Sequence, residues 1–256
     1  MKITIIGAGN VGYHLALALQ QKKHQILQIF SRNENRFEVF PDTLAAKGVT
    51  SWAEIDLESD LYIIAVSDQA IAEVSEKLKQ IGVKGIVAHT SGATSMETLQ
   101  QHQQYGIFYP LQSFSQSKTV DWESVPFCID GNEEAIKNEL YTLAQNLSPI
   151  THLINDQQRQ ALHVAAVFVN NFTNHLLSLG EEICRDFEVP FNILQPLIRE
   201  TFEKVQLVSP KNAQTGPALR GDKPTIQKHL DLLQNFPDKQ VLYRLISKSI
   251  AKGKNS

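Results

Sequence analysis

The sequence predicts an α/β domain with a parallel sheet, followed by an all-α domain. Residues 1–154 alternate short apolar runs with segments of helical periodicity, the pattern of parallel strands connected by helices. From residue 155 to residue 256 there is no convincing strand, only long segments with apolar residues at helical spacing. We therefore expect two packed domains, 1–154 and 155–256, with no flexible linker between them.

The individual elements follow from the same patterns. The strand-like runs are 2–6, 26–30, 61–66, 85–89, 106–109, 127–130 and 150–154. The helical segments of the first domain are 10–22, 34–47, 69–81, 94–103 and 132–147, the last with Asn132 as its expected N-cap. The second domain is expected to contain helices at 156–187, 190–207, 223–235 and 238–252, separated by segments that contain proline.

The composition and net charge argue against some classes of binding partner. The chain has 256 residues and a net charge of −3, so we expect neither a nucleic-acid partner nor a membrane partner. Its two cysteines, Cys128 and Cys184, are far apart, which favours neither a disulfide framework nor a metal site and fits a cytoplasmic protein. No apolar run is long enough for a signal peptide or a membrane span.

The segment "GAGNVG" places three glycines at the G-x-G-x-x-G spacing of dinucleotide-binding folds, between an apolar strand and an amphipathic helix. Gly7 permits the tight turn, Gly9 lets the backbone approach a pyrophosphate, and Gly12 lets the helix and strand pack closely. The N–H groups at the start of the helix, at Asn10 and Val11, then face the phosphates. The alternative is a glycine-rich turn that holds no ligand.

The end of the second strand indicates which dinucleotide binds. Sites that prefer NAD usually have an acidic residue there, which accepts a hydrogen bond from the ribose 2′-hydroxyl. This chain instead reads "IFSRNENR", with Ser31 and Arg32 at that point. A guanidinium pairs with a 2′-phosphate, so the sequence favours NADP as the cofactor. The alternative is that Arg32 is an ordinary surface arginine.

Three further loops are expected at the same edge of the sheet, because ligands bind outside the carboxyl ends of parallel strands, and one of them is "YPLQSFS", with Tyr109, Pro110 and Gln112. "AVSDQAI" places Ser67 and Asp68 there, although Ser67 could equally be a simple N-cap. "AHTSGATS" places His89, Thr90 and Ser91 there, and we expect this loop to lie beside the nicotinamide.

These motifs, together with "YPLQSFS", "RQALHVAAVFVNNF", "PLIRETFEKV" and "TGPALRGD", resemble a family of bacterial Rossmann-like oxidoreductases. Its C-terminal helical domain has no assigned function, and the family is distantly related to pyrroline-5-carboxylate reductase and the β-hydroxyacid dehydrogenases. The resemblance implies a Rossmann-type domain, NADP, and a homodimer formed through the helical domain. The family usually has His-Pro at Tyr109-Pro110 and Tyr-His at Leu162-His163, so its roles are not carried over to Tyr109 or Leu162.

A polar stripe is predicted on the first helix of the second domain. At about 100° per residue, Arg159, His163, Asn170 and Asn174 fall on one face of an otherwise apolar helix. Such a stripe either satisfies polar groups inside the protein or faces the cofactor crevice. We favour the crevice, with His163 and Asn170 as catalytic residues and Asn174 as a substrate contact.

The residue types of this stripe suggest its chemistry. In the β-hydroxyacid dehydrogenases and ketopantoate reductases, a lysine on the comparable helix donates the proton, and His163 stands about where that lysine would be. Imidazole changes charge near neutral pH, which suits proton delivery. Because the lysine is missing, a donor based on Ser91 or Thr90 remains the alternative. Arg220 in "TGPALRGD" either holds a substrate carboxylate or belongs to a structural loop.

Together these residues predict hydride transfer from NADPH to the C=O or C=N carbon of a small anionic metabolite, such as a 2-oxo acid or a cyclic imine. His163 would protonate the product, Ser91 and Asn170 would orient the reacting group, and Arg220 would hold a carboxylate. Two alternatives remain open: a non-catalytic NADP-sensing protein, and a reductase of a second cofactor such as a deazaflavin.

Overall fold

The structure, a computed structural model, describes residues 1–253, so the last three residues of the predicted second domain lie outside the described residues. The chain divides into two compact units, Met1–Phe168 and Val169–Ser256. The expected boundary between residues 154 and 155 falls between the last strand and the helix that follows it. The extent of the two domains stays a prediction.

The first unit is built on one eight-stranded sheet. Its strands are β1 Lys2–Ile6, β2 Gln25–Phe30, β3 Lys47–Val49, β4 Leu61–Ile64, β5 Ile86–His89, β6 Tyr105–Pro110, β7 Phe127–Gly131 and β8 Thr151–Leu153. The spatial order is β3-β2-β1-β4-β5-β6-β7-β8, and every pair is parallel except β6 with β7. The predicted Rossmann-type parallel sheet is therefore confirmed, with one antiparallel pair inside it.

The central strands are buried on both faces, which is why they read as continuous apolar runs. Three helices cover the sheet: α1 Asn10–Gln21, α2 Ile71–Ile81 and α3 Glu134–Leu147. One apolar cluster joins the buried sides of α1 and α3 to one face of the sheet, and a second joins α2 to the other face. This arrangement brings the carboxyl ends of β1, β2 and β4 to one edge.

Two helices predicted in the first unit are wrong. Residues 34–47 form only a 3₁₀ turn at Glu34–Phe37 followed by β3, because Pro41 interrupts the helical pattern and the chain then adds a strand beside β2. The predicted helix 94–103 is a single 3₁₀ turn, Met96–Leu99, which ends at its C-cap Gln100, whose N–H donates to the Glu97 carbonyl. The N-cap of α3 is Glu133, because the Asn132 side chain instead accepts a hydrogen bond from the backbone of Tyr105.

The rest of the described chain is helical after β8, as predicted. The α-helices are α4 Asp156–Ala166, α5 Thr173–Asp186, α6 Gln195–Leu207, α7 Pro210–Ala213, α8 Pro217–Arg220, α9 Lys223–Leu232 and α10 Pro237–Gly253. A capping box of Asn155 and Gln158 starts α4. Between α4 and α5 the chain forms a π-helix, Val167–Phe172, which the sequence did not predict. No helix within residues 1–253 is long and apolar enough to cross a membrane.

Candidate cofactor and active site

The glycine loop has the geometry that its spacing predicts. Gly7 has φ +123°, a conformation that L side chains rarely adopt, so the turn after β1 requires glycine. A Cβ on Gly12 would collide with the Gly7 carbonyl oxygen, so only glycine lets α1 lie this close to the turn. A Cβ on Gly9 would meet nothing within 4 Å, because the loop there faces open space.

The start of α1 is suited to an anion. Its N-cap is Gly9, which offers no side-chain cap, and the first turn contains no acidic residue. The first N–H groups of a helix have no partner within the helix and carry its positive dipole end. At Asn10 the side-chain amide is occupied, since it donates to the Phe114 carbonyl oxygen at 2.9 Å, which leaves the backbone N–H groups for a phosphate.

A cavity of about 660 Å³ opens beside this loop. It lies at the carboxyl ends of β1, β2 and β4, and its volume is in the range of about 300–1,000 Å³ that small-molecule sites occupy. Of the residues predicted to bind the cofactor, seven line it: Gly7, Gly9, Asn10, Val11, Ser31, Arg32 and Ser67. The cavity and the uncapped helix start together fit a dinucleotide.

The cavity also has lining residues that sequence reasoning missed. Arg36, on the 3₁₀ turn after β2, adds a second guanidinium near Arg32. Trp52 packs on Phe30 with ring centroids 4.1 Å apart and forms an apolar wall. Arg36 could have been inferred from the segment "SRNENR", which directly follows β2. Trp52 is far from β2 in sequence, and only the fold brings it to the cavity.

Besides Gly12, which packs against the Gly7 turn, three residues predicted to bind the cofactor lie outside the cavity lining. Asp68 is exposed, and the Thr90 hydroxyl donates to the Ile64 carbonyl oxygen at 3.3 Å. The His89 ring is fully buried, and its Nδ1 accepts a hydrogen bond from the Ser91 N–H. Burial, followed by the nearby charge of Arg159, lowers the pKa of His89 to about 4 and keeps the ring neutral. The contacts of these three residues with a cofactor stay predictions.

The Ser91 hydroxyl is engaged in a local turn. Its Oγ accepts hydrogen bonds from the backbone of Ala93 and Thr94 at 3.1 and 2.9 Å and donates to the Thr94 hydroxyl at 3.1 Å. The side chain is 6% exposed. This environment shapes the loop after β5, and it weakens the alternative in which Ser91 is the proton donor.

His163 lies on α4 within the first unit and faces the loop after β5. Its Nδ1 is 3.3 Å from the Tyr109 hydroxyl oxygen, at the end of β6. A Cβ on Gly92 would come within 2.5 Å of that Nδ1 and 2.8 Å of the Tyr109 hydroxyl, so glycine makes room for the pair. Burial is the main cause that raises the pKa of Tyr109 to about 12, which keeps its phenol protonated at neutral pH.

Arg159 does not belong to an open polar stripe, because its side chain is completely buried. Its Nη2 donates to Asp156 Oδ1 at 2.8 Å and to the Thr94 carbonyl, and Asp156 also accepts from the Met96 N–H. Hydrogen bonds and this ion pair hold the pKa of Asp156 below its usual value against the opposing effect of burial. Arg159 therefore ties α4 to the loop after β5.

The remaining predicted site residues lie in the second unit. Asn170 is exposed in the π-helix, and Asn174 is exposed on α5. A π-helix turns less per residue than the 100° used to align these side chains, so the predicted stripe does not continue unchanged past residue 166. Arg220 is exposed at the end of α8, while Asp222 caps α9 through the Thr225 N–H at 3.1 Å. The substrate contacts of Asn170, Asn174 and Arg220 stay predictions.

Among the described residues, no group of three or more His, Cys, Asp or Glu side chains could hold a metal ion. Cys128 is buried and Cys184 is half-buried, and both are free thiols.

Comparison with known proteins agrees with this architecture. Residues 1–112 match the model of a Rossmann-like domain, and residues 125–250 match a domain of unknown function, DUF2520. A crystal structure from Bacteroides fragilis, provisionally named an NADP oxidoreductase, is 37% identical, covers 98% of each chain and superposes with a TM-score of 0.91.

More distant relatives share parts of this architecture. A pyrroline-5-carboxylate reductase from Streptococcus pyogenes is 17% identical, with coverage of 100% of this chain and 99% of that one and a TM-score of 0.62, which shows a common fold. A glycerol-3-phosphate dehydrogenase [NAD(P)+] from Thermoanaerobacter is 32% identical over 99 residues, which are 34% of this chain and 30% of that enzyme. The chain thus aligns with less than a third of that curated relative.

Proposed function

The chain belongs to the family of Rossmann-like oxidoreductases that carry the DUF2520 domain, and from this premise we propose that it is an NADPH-dependent reductase. Its substrate in this proposal is a small anionic metabolite with a C=O or C=N group, in the class of 2-oxo acids or cyclic imines. The observation that carries the proposal is the uncapped start of α1, which opens into a cavity lined by Arg32 and Arg36.

In this proposal, different residues of the first unit bind different parts of the cofactor. The N–H groups at the start of α1 would bind the pyrophosphate, with Gly9 leaving room for its close approach. Arg32 and Arg36 would pair with the 2′-phosphate; no acidic residue lies at the end of β2, and the carboxylate in the cavity lining is that of Glu73 on α2. When bound, NADPH supplies the hydride to the acceptor carbon.

The proton would come from His163. In the protonated ring Nδ1–H donates to the Tyr109 oxygen, and Nε2–H is left for the reacting group of the substrate. Transfer of the Nε2 proton to the oxygen or nitrogen of the product neutralises the charge that develops there. Loss of this proton leaves the ring neutral with its hydrogen on Nδ1, a state that lasts only until water returns a proton to Nε2. Roles for Asn170, Asn174 and Arg220 in holding the substrate are part of the same proposal.

A substrate screen tests this proposal. The full-length chain is incubated with NADPH and a panel of 2-oxo acids and cyclic imines, and the absorbance of the reduced nicotinamide is followed. We expect at least one member of the panel to be reduced, with a rate that depends on enzyme concentration. Tight NADPH binding without turnover on any member would contradict the reductase assignment and favour an NADP-sensing protein.

A further inference from the structure

We propose that Tyr109 is a positioning residue that holds the neutral ring of His163, before any proton transfer, in the tautomer with its hydrogen on Nε2. The inference rests on the proposed function for its consequence in turnover, but its structural content is independent of it. It concerns two side chains of the first unit, on β6 and α4, that lie 54 residues apart in sequence.

The contact geometry selects Nδ1 as the paired atom. The Tyr109 hydroxyl oxygen lies 3.3 Å from Nδ1, and the two rings meet edge to face with centroids 6.2 Å apart. Among the described residues, the Tyr109 hydroxyl has no other hydrogen-bond partner. Because a partly buried phenol normally uses its proton, the neutral state of the pair is one in which Tyr109 donates and Nδ1 accepts.

The hydroxyl can serve both charge states of His163. A neutral imidazole that accepts at Nδ1 must carry its hydrogen on Nε2. When the ring is protonated, Nδ1–H donates to the Tyr109 oxygen, and Nε2 again carries a hydrogen. Burial keeps Tyr109 protonated, since it raises the pKa of the phenol to about 12. Before proton transfer, the substrate therefore meets an N–H donor at Nε2 in either charge state.

Gly92 lies against both rings, so a substitution there can disturb the contact without changing Tyr109 or His163. A Cβ at this position would lie 2.5 Å from His163 Nδ1 and 2.8 Å from the Tyr109 hydroxyl, which is closer than side-chain carbons normally approach. The loop after β5 thus holds the two rings together from one side. Gly92→Ala should displace the pair without removing either functional group.

A second tyrosine–histidine pair supplies a matched control. In the second unit, the Tyr243 hydroxyl lies 2.7 Å from Nδ1 of His229, so Tyr243→Phe removes the same group from the same kind of contact. Neither Tyr243 nor His229 lines the cofactor cavity. This variant separates the effect of losing a phenol beside any histidine from the effect of losing it beside His163.

The test reads the tautomer directly. Long-range ¹H–¹⁵N spectra of the ¹⁵N-labelled full-length protein are recorded at a pH where the imidazoles are neutral, and His163→Gln assigns the His163 signals. We expect His163 to carry its hydrogen on Nε2 alone, with Nδ1 as an acceptor. Tyr109→Phe and Gly92→Ala should each move its Nδ1 resonance towards a mixture of the two tautomers, whereas Tyr243→Phe should move only the His229 resonances.

A wild-type ring with its hydrogen on Nδ1, or an Nδ1 resonance that neither Tyr109→Phe nor Gly92→Ala changes, would overturn the inference. These readouts need no turnover, so failure of the substrate screen leaves them intact. Once a substrate is found, Tyr109→Phe should lower kcat by about tenfold, the effect of one lost hydrogen bond, and leave KM for NADPH unchanged. An unchanged kcat and pH profile in Tyr109→Phe would contradict the positioning role.

Discussion

The two compact units of this chain bury their apolar residues very differently. The first contains a sheet with two apolar clusters, and strands β1, β4 and β5 have almost no exposed surface. In the second, within the described residues 169–253, the buried apolar side chains are Ala218, Leu230 and Leu233. Large apolar side chains on its α6 remain exposed, among them Leu197 at 62% and Leu207 at 84%.

This difference indicates different sources of stability. The first unit has a core of its own, so substitutions at its glycine loop should act on folding and on ligand binding together. The second unit leaves many large apolar side chains exposed, and exposed apolar surface that is contiguous marks interaction sites. Such a surface is typical of helices that pack against another chain. The predictions below use variants in one unit as controls for the other.

The largest effect is expected at His163. His163→Ala should lower turnover on any substrate found by about 10²–10⁴-fold, the usual contribution of a general acid. Asn170→Ala in the second unit should cost less, because an orienting amide does not transfer the proton. Steady-state kinetics at saturating NADPH measure both. Equal turnover in His163→Ala and the wild type would show that another group donates the proton.

Two glycines offer the next comparison. Gly12→Ala should lower the free energy of unfolding by about 3 kcal/mol and abolish NADPH binding, since its Cβ would collide with the Gly7 carbonyl oxygen. Gly180 lies inside α5, where a Cβ meets only the Phe191 ring at 3.9 Å. Gly180→Ala should therefore be neutral or stabilising by about 0.5–1 kcal/mol. Urea unfolding of both variants measures the contrast, and similar losses would contradict this account of the glycine loop.

The sequence predicted those features whose residues lie close together along the chain. The glycine turn could be predicted, because three glycines, a strand and a helix lie within a short segment. Arg32 could be placed for the same reason, since it directly follows β2. The fold class followed from the change in periodicity after β8, and the structure confirms it.

Features formed by distant segments could not be predicted in this way. Tyr109 and His163 are 54 residues apart and meet only in the folded chain, so the sequence assigned no role to Tyr109. The π-helix between α4 and α5 could not be predicted either, and a calculation at a constant 100° per residue does not describe Val167–Phe172. No helix forms at 34–47, because Pro41 interrupts the helical pattern and the residues of β3 pair with β2 at the edge of the sheet.

The buried His89 predicts a pH dependence of stability in the first unit. Its pKa is lowered from 6.5 to about 4 on folding, so the unfolded chain binds the proton more readily. Stability should be complete above about pH 6.5 and fall as the pH drops towards 4, by up to about 3 kcal/mol from this residue. Burial lowers the pKa of His24 and His102 as well, and they add to the same trend.

Thermal unfolding between pH 7.5 and 4.5 measures this dependence. The midpoint temperature of the wild type should fall across this range, and His89→Gln should flatten the curve while the contributions of His24 and His102 remain. A curve for His89→Gln as steep as that of the wild type would show that His89 is not the main source of the acid sensitivity.

The exposed surface of the second unit predicts a homodimer. Sedimentation velocity should give a dimer for the wild type, and the double substitution Leu197→Glu with Val205→Glu on α6 should shift it towards the monomer. Lys22→Glu on the exposed end of α1 serves as the control and should remain dimeric. A wild-type monomer at micromolar concentration would contradict the predicted assembly.

The most direct test of the central claim is a comparison of NADPH and NADH binding by fluorescence titration. We expect NADPH to bind at least about tenfold more tightly, because Arg32 and Arg36 line the cavity where β2 ends and can pair with a 2′-phosphate. Arg32→Asp should remove most of that difference, while Arg199→Asp on the exposed side of α6 should preserve it. Equal affinities of the wild type for the two dinucleotides would contradict the assignment of this cavity to NADPH.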